Sequence, residues 1–133
     1  MACSLTIPRW DREPRDEVIL SPSWNQVRSA VRGLNGESLN DLYLMPDDQA
    51  PDRYFAVAGG PGLYVVFICE ANERFIEAVS SHVDDGTRVS LTCGGQVGSF
   101  AARQLVDLDT ALTAAKHFYD TSSASPHVTW VTR

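Results

Sequence analysis

The chain is poor in lysine and has no cluster of basic residues. Lys116 is the only lysine among eleven basic residues, which face seventeen acidic ones, and the net charge is −6. Binding to nucleic acids depends on neutralising phosphates with Lys and Arg, so direct nucleic-acid binding is disfavoured. The negative field would instead attract a protein partner with a basic surface.

Long apolar segments are also missing. The longest run, residues 62–69, has the length of a β-strand, whereas a membrane-spanning helix needs about 20 apolar residues. Residues 1–9 lack the basic start and apolar stretch of a secretory signal. We therefore expect a cytoplasmic protein that does not enter a membrane.

Potential metal ligands are few and scattered. No pair of cysteines has the spacing of a metal site, and the histidines are equally dispersed, so no metal or cofactor is predicted. We expect Cys69 and Cys93 to be reduced strand residues and Cys3 to be incidental. The residues concerned are Cys3, Cys69, Cys93, His82, His117 and His127.

Two amphipathic helices are predicted. Ser23 and Gln26 have the spacing of a capping box, and apolar residues recur with helical period over 24–34. Asp107 can cap a second helix over 108–120, whose apolar residues form one continuous face.

The remaining pattern indicates strands joined by short turns. Residues 9–17 are read as an exposed connection, and Gly59 to Gly62 as a turn between strands. The length of 133 residues suits one domain, residues 1–133. The predicted fold is α+β: an antiparallel sheet of about six to seven strands with two main helices packed on it. The predicted strands cover 3–7, 39–45, 54–58, 63–70, 74–81, 87–93, 100–106 and 127–131.

No catalytic motif is recognisable. The glycine turn precedes a strand instead of a helix, so it does not predict a phosphate loop. No serine or cysteine has the sequence context of a nucleophile. An enzyme that uses His117 or His127 with a nearby carboxylate is kept as an alternative.

Acidic residues concentrate in predicted turns. Solvated turn charges are the default interpretation, and an acidic patch for a basic partner is the functional one. The candidate partner-binding residues are Asp47, Asp48, Asp52, Glu70, Glu73, Glu77, Asp84 and Asp85.

The last third of the chain combines three features: residues 98–103, a predicted helix with Ala111, Leu112 and Phe118, and residues 125–130, which end in Trp130. Together these features resemble the immunity protein 1 family of bacterial polymorphic toxin systems. The likeness extends less strongly over residues 39–131 and includes the glycine turn.

This resemblance implies an antidote that binds a toxin encoded beside it. Several toxins of such systems act on nucleic acids as nucleases or deaminases, and an acidic protein could cover their basic clefts. A non-catalytic adaptor that binds a non-toxic protein is the main alternative.

Overall fold

The computed structural model describes residues 3–10, 16–46, 53–70, 74–81 and 86–133. In these ranges the chain forms nine strands, two α-helices and one 3-10 helix. They are β1 (Cys3–Pro8), β2 (Asp16–Leu20), α1 (Trp24–Arg32), β3 (Asp41–Pro46), β4 (Tyr54–Gly59), β5 (Tyr64–Glu70), β6 (Arg74–Val79), β7 (Arg88–Cys93), β8 (Gln96–Ala101), the 3-10 helix (Ala102–Gln104), α2 (Leu108–Thr121) and β9 (Thr129–Thr132).

Seven of the described strands form one antiparallel sheet, in the order β2-β1-β3-β4-β5-β6-β9. The remaining two, β7 and β8, pair only with each other. The predicted α+β class, with an antiparallel sheet and two main helices, is therefore confirmed.

Both helices pack on one side of the sheet, which we call the front face. Alternate strand residues such as Leu42, Leu44 and Phe55 point to it and are fully buried. From the helices, Val27 of α1 and Phe118 of α2 complete the core.

The helix ends follow the predicted caps. Ser23 Oγ accepts a hydrogen bond from the Gln26 amide (3.1 Å), and Gln26 Oε1 accepts one from the Ser23 amide (2.8 Å). Asp107 accepts from the Thr110 amide (2.8 Å), and this backbone hydrogen bond lowers the pKa of Asp107 because it stabilises the carboxylate.

Three local predictions are wrong. The exposed connection predicted over 9–17 ends too late, because residues 16 and 17 already belong to the edge strand β2. Residues 11–15 of that connection lie outside the described residues. The strand predicted over 100–106 gives way to β8, which ends at Ala101, and to the 3-10 helix. Cys3 is not incidental, because its side chain is 4% exposed and belongs to the core.

The β7–β8 hairpin lies against the back of the sheet and is held there by buried polar groups. The Gly95 amide donates to Asn40 Oδ1 (2.7 Å), and Asn40 is 1% exposed. A Cβ on Gly95, whose φ is +79°, would approach Trp10 ring carbons to 2.6 Å, so glycine is required for this close contact. Asp41, next in sequence to Asn40, accepts from Trp10 Nε1 (3.0 Å).

Candidate functional site

The back of the sheet carries two rows of side chains that are almost free of charge. Residues paired across neighbouring strands point to the same face, so the register identifies the rows. The first row crosses all seven strands of the described sheet: Val18, Thr6, Tyr43, Ala56, Phe67, Glu77 and Val131. The second contains Leu20, Ser4 and Met45, then Tyr54, Cys69 and Phe75. Glu77 is the only charged residue in either row.

Four aromatic rings form a chain across strands β3 to β6 on this side. Ring centroids lie 5.9 Å apart for Tyr43 and Tyr54, 6.2 Å for Tyr54 and Phe67, and 6.0 Å for Phe67 and Phe75. All four side chains are half-buried, and Met45 is 39% exposed. We call these residues, Tyr43, Met45, Tyr54, Phe67 and Phe75, the open face.

The open face has the composition of a protein interface. The buried centres of interfaces are depleted of charge and enriched in Tyr, Phe, Met and Arg. Arg133 adds to it, because its guanidinium carbon lies 5.3 Å from the centroid of the Phe67 ring. Burial raises the pKa of Tyr54, so its hydroxyl remains a hydrogen-bond donor beyond its usual range.

Tyr43 lies at the border of the open face next to the β7–β8 hairpin. Its hydroxyl donates to Asp41 Oδ2 (2.8 Å), and burial together with this hydrogen bond raises the pKa of Tyr43. Burial also raises the pKa of the neighbouring Cys93 thiol to about 11, which keeps the thiol protonated and poorly nucleophilic at neutral pH.

Glu77 does not match the expectation of an exposed turn charge. It lies within β6, is 4% exposed, and receives the Arg133 Nε at 3.2 Å and the Gln104 Nε2 at 3.3 Å. Its carboxylate borders a cavity of about 500 Å³ that Arg133 and Gln104 also line. An ion pair with the half-exposed Arg133 therefore balances the charge of this buried carboxylate.

Glu70 ends β5 and remains half-buried. Its carboxylate lies 3.7 Å from Arg74 Nε at the start of β6. The other predicted contact residues lie outside the described residues: Asp47, Asp48, Asp52, Glu73, Asp84 and Asp85.

The described strand ends show which connections share an end of the sheet. β3 ends at Pro46, β4 begins at Tyr54, β5 ends at Glu70 and β6 begins at Arg74. In this antiparallel sheet these four ends meet at the border of the open face marked by Tyr54 and Phe75. β3 and β4, and likewise β5 and β6, are therefore adjacent at that border, whereas β6 ends at the opposite end of the sheet.

A separate open groove of about 380 Å³ brings His117 and His127 together with Asp120 and Lys116. The Asp120 carboxylate is held by Lys116 Nζ at 2.7 and 2.9 Å. The Asp120 carboxylate is thus paired with the Lys116 ammonium group. The two histidines line the same groove.

Sequence reasoning did not find the open face. The alternation of Tyr43 and Met45 with Leu42 and Leu44 was a signal of a two-sided strand. It could not reveal that the helices cover only one side.

Among the described residues no helix is long and apolar enough to cross a membrane. In the same part of the chain, no three His, Cys, Asp or Glu side chains are grouped as metal ligands would be.

Comparison with known families gives a match over nearly the whole chain. The family model described as immunity protein Imm1 matches residues 15–132. This range contains α1, α2 and every strand except β1. No curated protein matches the sequence. The chain belongs to the Imm1 immunity protein family.

Proposed function

We propose that this protein neutralises a cognate bacterial toxin of a polymorphic toxin system by binding it and occluding its active site. The match to the immunity protein family over residues 15–132 carries this proposal. The toxin acts on nucleic acids, as a nuclease or a deaminase, and presents a basic cleft. The antidote works in the cytoplasm as one domain and needs no catalysis, metal or cofactor.

The net charge of −6 supports a basic partner, because opposite charges accelerate encounter and favour the correct orientation. We assign the toxin contact to the open face together with the acidic residues around it. The open face would supply the desolvated centre of the interface, and Asp47, Asp48, Asp52, Glu70 and Glu73 its charged rim. Asp84 and Asp85 form a second acidic group, and Glu77 is omitted because it is buried and paired.

Co-expression with the product of the gene immediately upstream tests the function. We expect that product to arrest growth alone, and this chain to restore growth and to co-purify with it at a fixed stoichiometry. An unrelated acidic protein of similar size should give no rescue. A neighbouring product that is harmless but forms a stable complex would contradict the antidote function and support the adaptor alternative.

Removing charge from the β3–β4 connection should slow association with the toxin. We expect the triple change Asp47→Asn, Asp48→Asn and Asp52→Asn to lower the association rate constant roughly tenfold at low ionic strength, because electrostatic steering is lost. The dependence of this rate on salt should also weaken. Stopped-flow or biosensor kinetics would measure both effects.

A matched control removes three carboxylate charges elsewhere. Glu37, Asp109 and Asp120 are exposed residues outside the back face of the sheet. Their triple amide variant has the same net charge as the test variant, and its association rate should stay close to the original. Equal slowing in both triple variants would show that only the overall charge matters and would contradict the assigned surface.

One observation favours the alternative of an enzyme: His117, His127 and Asp120 line the same groove. Rescue by a His117→Gln, His127→Gln double variant at the original level would count against that alternative.

A further inference from the structure

The strand β2 is the edge strand on one side of the sheet. The backbone N–H and C=O groups on its outer side pair with no described strand. The Ser21 amide donates to the Cys3 carbonyl (3.1 Å), and Ser4 stands opposite Leu20. In an antiparallel pair, successive residues direct their N–H and C=O groups alternately toward and away from the partner strand. Residues 17, 19 and 21 therefore face β1, whereas Asp16, Val18 and Leu20 direct their backbone groups outward.

Apolar side chains accompany these outward backbone groups. Val18 is 55% exposed and Leu20 is 77% exposed. Natural edge strands are commonly protected by lysine, proline or a bulge, because an unprotected edge pairs with other chains. The charges of β2 are confined to its first two residues, Asp16 and Glu17, and Glu17 is already paired with Arg9.

We propose that β2 pairs in antiparallel fashion with β2 of a second copy of this chain. In the register that we infer, Ile19 stands opposite Ile19 of the second copy, and Val18 stands opposite Leu20 of the second copy. The outward N–H and C=O groups of Val18 and Leu20 then face those of the other copy.

The side chains of β2 favour this register, and they favour a second copy of the chain as the partner of the β2 edge. In this antiparallel pairing, Val18-Ile19-Leu20 of one copy lies opposite Leu20-Ile19-Val18 of the other, so each apolar side chain lies against another apolar side chain. Asp16 and Glu17 of the two copies lie at opposite ends of the joint, so like charges do not oppose one another. A shift that centres the pair on Val18 would instead place Asp16 opposite Leu20.

Edge-to-edge pairing has a geometric consequence. The two-fold axis of such a pair is perpendicular to the sheet, so both open faces lie on the same side of one continuous sheet. This inference does not rest on the proposed antitoxin function, because the edge is defined by the chain alone.

Sedimentation and light scattering on the purified full chain, from micromolar to millimolar concentration, test the proposal. We expect a dimer mass for the original chain and a monomer mass for Leu20→Lys, because two lysines would be desolvated in the joint. Val97→Lys is the matched control, since Val97 is 76% exposed and apolar but belongs to β8, which pairs with β7 and not with β2. This control variant should remain dimeric.

A second variant tests the backbone pairing. Val18→Pro removes an outward N–H and no hydrogen bond within the protomer, so it should fold with an unchanged circular dichroism spectrum and be monomeric. Ile19→Cys should form an intermolecular disulfide on mild oxidation, because the inferred register places the two Cβ atoms at a compatible separation.

Each contrary result is informative. A chain that is monomeric at every concentration, or a dimer that survives both Leu20→Lys and Val18→Pro, would overturn the proposal. If the chain is monomeric and Leu20→Lys instead weakens capture of the upstream gene product, the edge serves the toxin and the second-copy proposal is wrong.

Discussion

Replacing Phe118 with alanine is expected to lower the free energy of unfolding by about 3–5 kcal/mol, the largest effect of any single truncation considered for this protein. Phe118 is 1% exposed, and its ring stacks on that of Phe55 with centroids 5.5 Å apart and an interplanar angle of 26°. It thereby joins α2 to the centre of the sheet. Equilibrium unfolding in urea would measure the loss.

The surroundings of Phe118 explain why the loss should be large. The buried face of α2 is otherwise built from Ala111, Ala114 and Ala115. Alanine has no further rotatable groups that could move into the vacated volume, so the cavity would persist.

Phe75→Ala is the matched control for this experiment. It removes the same ring from the half-exposed open face, where water can fill the space, so its cost should stay below about 1.5 kcal/mol. Similar losses in both variants would contradict the division between a front face buried under the helices and a half-exposed open face.

Replacing Tyr54 with alanine should change the stability little but weaken toxin binding strongly. Tyr54 is at the centre of the aromatic chain, between Tyr43 and Phe67. Central aromatic residues of interfaces commonly account for about 2–4 kcal/mol of binding free energy, so the Kd for the toxin should rise about 30- to 1,000-fold. Calorimetric titration with a catalytically inactive toxin would measure this change.

Two further variants isolate the cause. Tyr54→Phe keeps the ring and should retain most of the affinity, whereas Val97→Ala truncates an exposed apolar residue off the open face and should leave the Kd unchanged. Unaltered affinity in folded Tyr54→Ala would rule out the open face as the toxin contact.

Local sequence chemistry was sufficient for the helices and the central strands. The capping box at Ser23 and the apolar period fixed the start of α1, although the helix ends at Arg32, just before Gly33, and not at 34. Strands β3 to β6 were recognisable because each is a short segment rich in apolar, β-branched and aromatic residues between turn residues.

Edge and peripheral strands were harder to predict because tertiary context decides them. β2 begins with two acidic residues and exposes Val18 and Leu20, so it lacks the buried apolar residues of a central strand. The predicted sheet also included too many consecutive strands, because β7 and β8 leave the main sheet and lie against its back.

The sequence predicts candidate contact residues by their charge, but it does not show which of them are buried. Acidic residues could be counted in the sequence, yet the burial of Glu77 depends on Arg133 and Gln104, which are far from it in the chain. The open face depends on which side the helices cover, and that is a property of the assembled fold.

The alternation of side chains along the central strands also separates two evolutionary demands. In β3, Leu42 and Leu44 are buried in the core, whereas Tyr43 and Met45 point to the opposite side of the sheet. Under the toxin contact that we propose, neighbouring residues of one strand serve different ends, the first set folding and the second recognition. With that proposed contact, substitutions at every second position would change the toxin specificity while the scaffold stays the same.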